Sequence, residues 1–281
     1  MNNSLKLFTA LSCLCALTAC AQPGSTYKSP AGYDFNHPES HRLLTTLNEI
    51  SGICFRPDDQ AQLYAIQDED GIVFSWPNMT QRLRFAGHGD YEDISITKAQ
   101  TIVLRSDGKL FTFPTTALGQ VNPPQVQEWK GLLPEGEYEA MGLDDLDNLY
   151  ILCKNCPGDK HKARVSGYRL RIDSEGKPVL QDEFRIKDLE RLVPGKKANL
   201  KASAMAFNTA THEWYLLSSV HKLLLVTDRN WLPRAVYNLD PNRFPQPEGI
   251  CFDNKHNLYI SNEAAGSPTA TLLRFDYLPK P

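Results

Sequence analysis

The chain has little that would place it across a membrane, on nucleic acid or in a common catalytic class. Beyond its first two dozen residues no apolar run approaches the length that a spanning helix needs, roughly 20 residues. Charge of one sign is also missing. Across 281 residues, 30 Lys and Arg face 33 Asp and Glu, a net charge of −3, whereas a nucleic-acid binder carries a basic excess or stripe. There is no Gly-x-Ser-x-Gly elbow, no HExxH helix, no Walker loop and no GxGxxG turn, so none of the sites that these motifs build is signalled. What is present is a spread of 19 Pro, 17 Gly and 11 Tyr, which favours short strands and turns over long helices.

The first residues read as a targeting device. Lys6 precedes an apolar stretch from Leu7 to Ala19, the length of a signal-peptide core. Leu17-Thr18-Ala19-Cys20 has the form of a bacterial lipobox, in which the Cys is lipid-modified and becomes the first mature residue. Residues 1–19 are thus expected to leave as a lipoprotein signal peptide, and residues 20–42 to be the lipidated Cys20 and a tether. Residues 43–281 are expected to form the domain. An acyl anchor holds a protein to a bilayer without spanning it, so the expected location is exported and membrane-anchored, on the periplasmic or cell-surface side.

Cysteine use suits that compartment. Of seven Cys, Cys13 and Cys15 leave with the signal and Cys20 carries lipid, which leaves Cys54, Cys153, Cys156 and Cys251. Cys153-Lys-Asn-Cys156 follows the apolar run Leu149-Tyr-Ile-Leu152 and is expected to close as a local disulfide. Zinc would need two further Cys or His ligands and His161 is one; a thioredoxin-like role lacks its βαβ context. Cys54 and Cys251 occupy equivalent positions of the repeat described next, so their side chains point the same way and they are expected as free, buried thiols.

Compared with itself, the chain repeats. Five segments share a short apolar strand, a polar gap, an apolar-aromatic strand, a turn and often a third strand. Their first strands contain Ser51-Gly-Ile, Glu92-Asp-Ile, Glu139-Ala-Met, Ser203-Ala-Met and Glu248-Gly-Ile. The spacings are 41, 47, 64 and 45 residues, mostly those of a four-stranded propeller blade. The long third interval holds an insertion around residues 182–201, whose Ile186-Lys-Asp-Leu-Glu-Arg-Leu192 suits a short helix. The fold expected is an all-β β-propeller of five blades, with residues 33–47 or the third interval as places for a sixth, degenerate blade.

These residues carry a family likeness. The five segments, above all Gln246-Pro-Glu-Gly-Ile250, Asn257-Leu-Tyr-Ile-Ser-Asn-Glu263 and the closing Leu273-Arg-Phe275, resemble the SdiA-regulated β-propeller family over about residues 43–275. The resemblance implies a five-bladed propeller, an exported location and a calcium ion in a family-typical site; it implies no reaction. Ser203-Ala204 in place of a Ser-Gly pair, Asp93 in place of a small residue and the CxxC loop depart from the pattern.

Equivalent positions fall on one ring around a propeller axis. Glu92, Glu139 and Glu248 share such a position, with Ser51 and Ser203 in the other two blades. Three converging carboxylates repel one another, and Ca²⁺, which accepts six to eight oxygens, would resolve this. Otherwise each Glu accepts hydrogen bonds from neighbouring backbone N–H groups around a wet channel. Ser51, Asp93, Ser203 and Glu263 are expected to line the channel or to support the site. Asp68-Glu-Asp-Gly71 reads as a solvated turn, and His212, His221 and His256 as solvated loop residues. The function expected is a lipid-anchored binding or scaffold module with calcium near the channel and a small-molecule or protein ligand. Its alternative is a calcium-dependent hydrolase, with Asp93 or His88 as base and an ester, lactone or phosphate as substrate.

Overall fold

The computed structural model describes residues 27–77, 82–120, 125–159, 164–192 and 200–279. The signal segment, Cys20 and His161 lie outside the described residues. Strand β1 (Glu39–Arg42) comes first and finds its partner only at the far end of the chain. The next four strands, β2 (Ile50–Arg56), β3 (Asp59–Gln67), β4 (Asp70–Trp76) and β5 (Arg82–His88), form one antiparallel sheet in sequence order. A second sheet follows from β6 (Tyr91–Ile96), β7 (Gln100–Arg105), β8 (Leu110–Pro114) and β9 (Gln127–Trp129). The third is β10 (Glu137–Leu143), β11 (Leu149–Asn155), β12 (Val165–Ile172) and β13 (Pro178–Ile186). The fourth is β14 (Ala204–Asn208), β15 (Glu213–Ser218), β16 (Leu223–Asp228) and β17 (Pro233–Asn238). In the fifth, β18 (Pro247–Phe252), β19 (Leu258–Asn262) and β20 (Thr271–Phe275) are completed by β1, with Glu39 opposite Arg274.

Five sheets make five blades, because the apolar residues of each sheet are shared with both neighbours. Five clusters of buried side chains occur, one at each blade-to-blade interface. Between the third and fourth blades Trp214 stacks on Trp231 with centroids 4.8 Å apart, and Phe184 stacks on Trp231 at 4.3 Å. Between the fifth and first, Leu47, Ile50 and Leu63 pack with Leu272. The middle strands are buried on both faces, as Thr101 to Leu104 of β7 illustrate, while the outer β13 and β17 are largely open to solvent. Such a layout closes the ring and protects the edges.

Three boundaries differ from expectation. The segment expected as tether to residue 42 is part of the domain from Tyr33 on: Tyr33 and Phe35 are buried and β1 is the outer strand of the fifth blade. Residues 33–47 therefore supply the closing strand rather than a sixth blade. The helix expected at 186–192 is a 3₁₀ turn at Leu189–Arg191, because Ile186 ends β13 and Asp188 takes a left-handed φ of 57°. Among the described residues no helix is long and apolar enough to cross a membrane.

Candidate functional site

The strands β2, β6, β10, β14 and β18 each form one edge of their sheets and adjoin one another around the axis. At one end of this ring the register breaks at the repeated position. Pairing of β6 with β7 passes from Tyr91 to Asp93, that of β10 with β11 from Tyr138 to Ala140, and that of β18 with β19 from Pro247 to Gly249. Glu92, Glu139 and Glu248 are thus the skipped residues of three equivalent bulges, and Ser51 and Gly52 are skipped in the first blade. A bulge frees a residue from the pleat and re-aims its side chain.

The two serines of the ring have a different task. Ser51 Oγ donates to the Tyr91 carbonyl at 2.8 Å, and Ser203 Oγ to the Pro247 carbonyl at 2.9 Å. Each bond joins one blade to the next at the residue just before a ring glutamate. Ser203 also borders a cavity of about 300 Å³ at the channel mouth, together with Glu139, Lys154, Lys201, Lys222 and Glu248.

Carboxyls crowd this mouth beyond what its lysines neutralise. Burial, then the neighbouring Asp90, pushes Glu92 up to about 9, against the lowering charge of Lys154. Burial also raises Glu248, although the Ser219 and Ser203 hydroxyls, Lys154 and Lys222 act the other way. Glu263, raised to about 8 by burial and then by Glu248, accepts from Gln246 Nε2. Asp68, raised to about 6 by burial, Glu49 and Glu69, is half-buried with Oδ1 unpartnered. It belongs to the mouth and is not the solvated turn residue expected from its sequence. Glu139 pairs with Lys154 through Oε1, while its buried Oε2 has no partner. Lys222 donates to the Pro245 carbonyl, and its own burial lowers its pKa.

The other end of the channel is a second cavity of about 310 Å³, bordered by Asp93, Cys54, Cys251, Met141 and Met205. Asp93 is fully enclosed, and its two oxygens accept the Ile94 and Met141 backbone N–H groups at 2.8 Å each. It bridges β6 to β10 with both acceptors engaged. His88, the alternative base of the hydrolase expectation, lies exposed at the end of the outer strand β5. A larger cleft of about 810 Å³ beside β1 is bordered by Glu263 and by Pro245, the residue that Lys222 holds.

Cys153 and Cys156 stand at disulfide distance with Cα atoms 5.9 Å apart, and Cys54 and Cys251 are free. Lys154, between the paired cysteines, gave no signal as a site residue in the sequence; a lone Lys carries none until the ring around it is known. The donor set does not form a calcium shell as it stands. Among the described residues no three acidic, His or Cys side chains surround one point, and the Lys154 ammonium is already on Glu139.

Residues 174–266, about a third of the chain, match the model of the SdiA-regulated family. The resemblance to that family holds. No curated protein matches the chain. Among solved structures it is similar to the glutaminyl cyclase of Myxococcus xanthus, with a TM-score of 0.56 and 11% identity over 86% of this chain and 98% of the other. It is similar also to a luciferin-regenerating enzyme, with a TM-score of 0.53 and 10% identity over 86% of this chain and 96% of that one. At such identities the likeness is one of fold, and the SdiA-regulated match and these neighbours agree on a propeller.

Proposed function

We propose that the chain is an exported, lipid-anchored binding module, and that it takes a small zwitterionic ligand of the amino-acid class at the acidic mouth of its channel. One observation carries this reading: the cavity of about 300 Å³ sets Glu139 and Glu248 against Lys154, Lys201 and Lys222, with Ser203, Ser219 and Gln246 among them. A ligand of one charge sign would meet repulsion from one of these sets. A molecule carrying both signs can turn its ammonium toward the crowded carboxyls and its carboxylate toward Lys201 and Lys222. The volume sits at the small end of ligand pockets, which start near about 300 Å³. Calcium is no part of this reading, since an ammonium already stands on Glu139.

Melting of the mature protein, followed with free alanine, glutamate and lysine and with the N-acetyl and carboxamide forms of each, tests it. A saturable rise is expected with at least one free amino acid and not with its capped forms, and the rise should be lost in Glu248→Gln. Equal shifts from capped forms, or no shift from any of the probes, would overturn the reading.

A further inference from the structure

The ring glutamates meet a positive charge that belongs to the chain itself. At the channel mouth β10 and β11 fall out of step twice. Between the pairs Glu137–Asn155 and Tyr138–Cys153 the register skips Lys154, and between Tyr138–Cys153 and Ala140–Leu152 it skips Glu139. The two skipped residues lie on paired strands at the same end, so both side chains leave the sheet where the ring lies. There Lys154 Nζ pairs with Glu139 and stands 3.7 Å from Glu137 Oε1. Its charge also acts on Glu92 in the second blade and Glu248 in the fifth.

The segment that carries this lysine is fixed on both sides. Cys153 and Cys156 bracket it, and Gly136 packs so closely on the sulfurs that a Cβ there would come within 2.6 Å of Cys156 Sγ. Cys153 Sγ lies 3.4 Å from the Glu137 carbonyl. The CxxC loop, outside the family pattern, therefore has a role in the ring: it holds an ammonium beside the carboxylates.

We propose that Lys154 is the resident cation of the glutamate ring, standing where the converging carboxylates predict calcium, so that this chain closes the ring without a metal. The physical exchange is plain. Ca²⁺ brings two charges and asks for six to eight oxygens, whereas an ammonium brings one charge and three donors and cannot be chelated away. For calcium to enter at Glu139, Lys154 would first have to leave that carboxylate. The inference concerns the ring alone and does not depend on the amino-acid reading.

The mature protein and Lys154→Met, melted with calcium chloride and with a chelator, test it. The parent is expected to melt at the same temperature in both, and Lys154→Met to gain a rise with calcium that the chelator reverses. A parent stabilised by calcium would overturn the inference, and so would a folded Lys154→Met that stays indifferent. If that variant does not fold, acylation of the parent's amines decides instead. Lys154 should react several-fold more slowly than Lys130, whose side chain is 70% exposed, and calcium should not change the rate. Equal rates, or acceleration by calcium, would overturn it.

Discussion

Replacing Glu92 by Gln should make the protein less sensitive to alkali. The Glu92 carboxyl is pushed up to about 9 in the folded protein, by burial first and then by Asp90, while in the unfolded chain it titrates near about 4.3. Between those values the folded state keeps a proton that the unfolded state has released. Stability must then fall as pH rises, by at most about 1.4 kcal/mol per pH unit from this one group. Below the unfolded value both states hold the proton and the penalty vanishes; above the folded value it is complete. Gln keeps the shape and never ionises. From about pH 5.5 to about pH 7.5 the parent should lose at most about 2.7 kcal/mol relative to Glu92→Gln, and about 1–2 kcal/mol once its residual contact with water is allowed for. In a domain of this size that amounts to about 2–8 °C in Tm. Melting both proteins by circular dichroism across that range gives the comparison directly. A difference between them that does not change with pH would refute the buried-acid account of the mouth.

The closing segment supports a second expectation. Phe35 is 1% exposed and packs its ring 4.9 Å from Phe275 and 5.7 Å from Phe244, so Phe35→Ala should cost about 3–5 kcal/mol in urea denaturation; a loss below about 1 kcal/mol would mean that the fifth blade packs without it. The proposed lipid anchor predicts that Cys20→Ser leaves the fold intact and moves the protein from membrane to soluble fraction, and retention on membranes after a high-salt wash would count against lipidation.

Much of the ring was legible because propeller repeats write their register into composition. Glu92, Glu139 and Glu248 each stand two residues before an apolar side chain, Ile94, Met141 and Ile250, and Ser51 and Ser203 fall in phase with them. The bulges that free these side chains are invisible in the sequence, since they depend on which residue of the neighbouring strand is skipped. Lys154 was missed for that reason, as it is skipped on the partner strand. Asp68 was read as a turn residue from its Asp-Gly surroundings, which describe the backbone correctly and say nothing of Glu49 and Asp90 nearby. Strand β1, Glu-Ser-His-Arg, has no apolar alternation because it is an outer strand with little of its surface buried. The segment just before it did carry a signal, in Tyr33 and Phe35, which fill the interface of the fourth and fifth blades.

The clasp between β1 and β20 imposes an order of assembly. Arg274 reaches back to Glu39 across 235 residues, so the strand of the domain that is made first is the last to be paired. Until Phe275 has followed, β1 and the two aromatic rings ahead of it have no fifth blade to join, and contacts this distant along the chain form slowly. A nascent or truncated chain that ends before β20 should hold four blades with their faces partly uncovered and a loose leading segment. The propeller becomes a ring in a single late step, at the moment when its two ends meet.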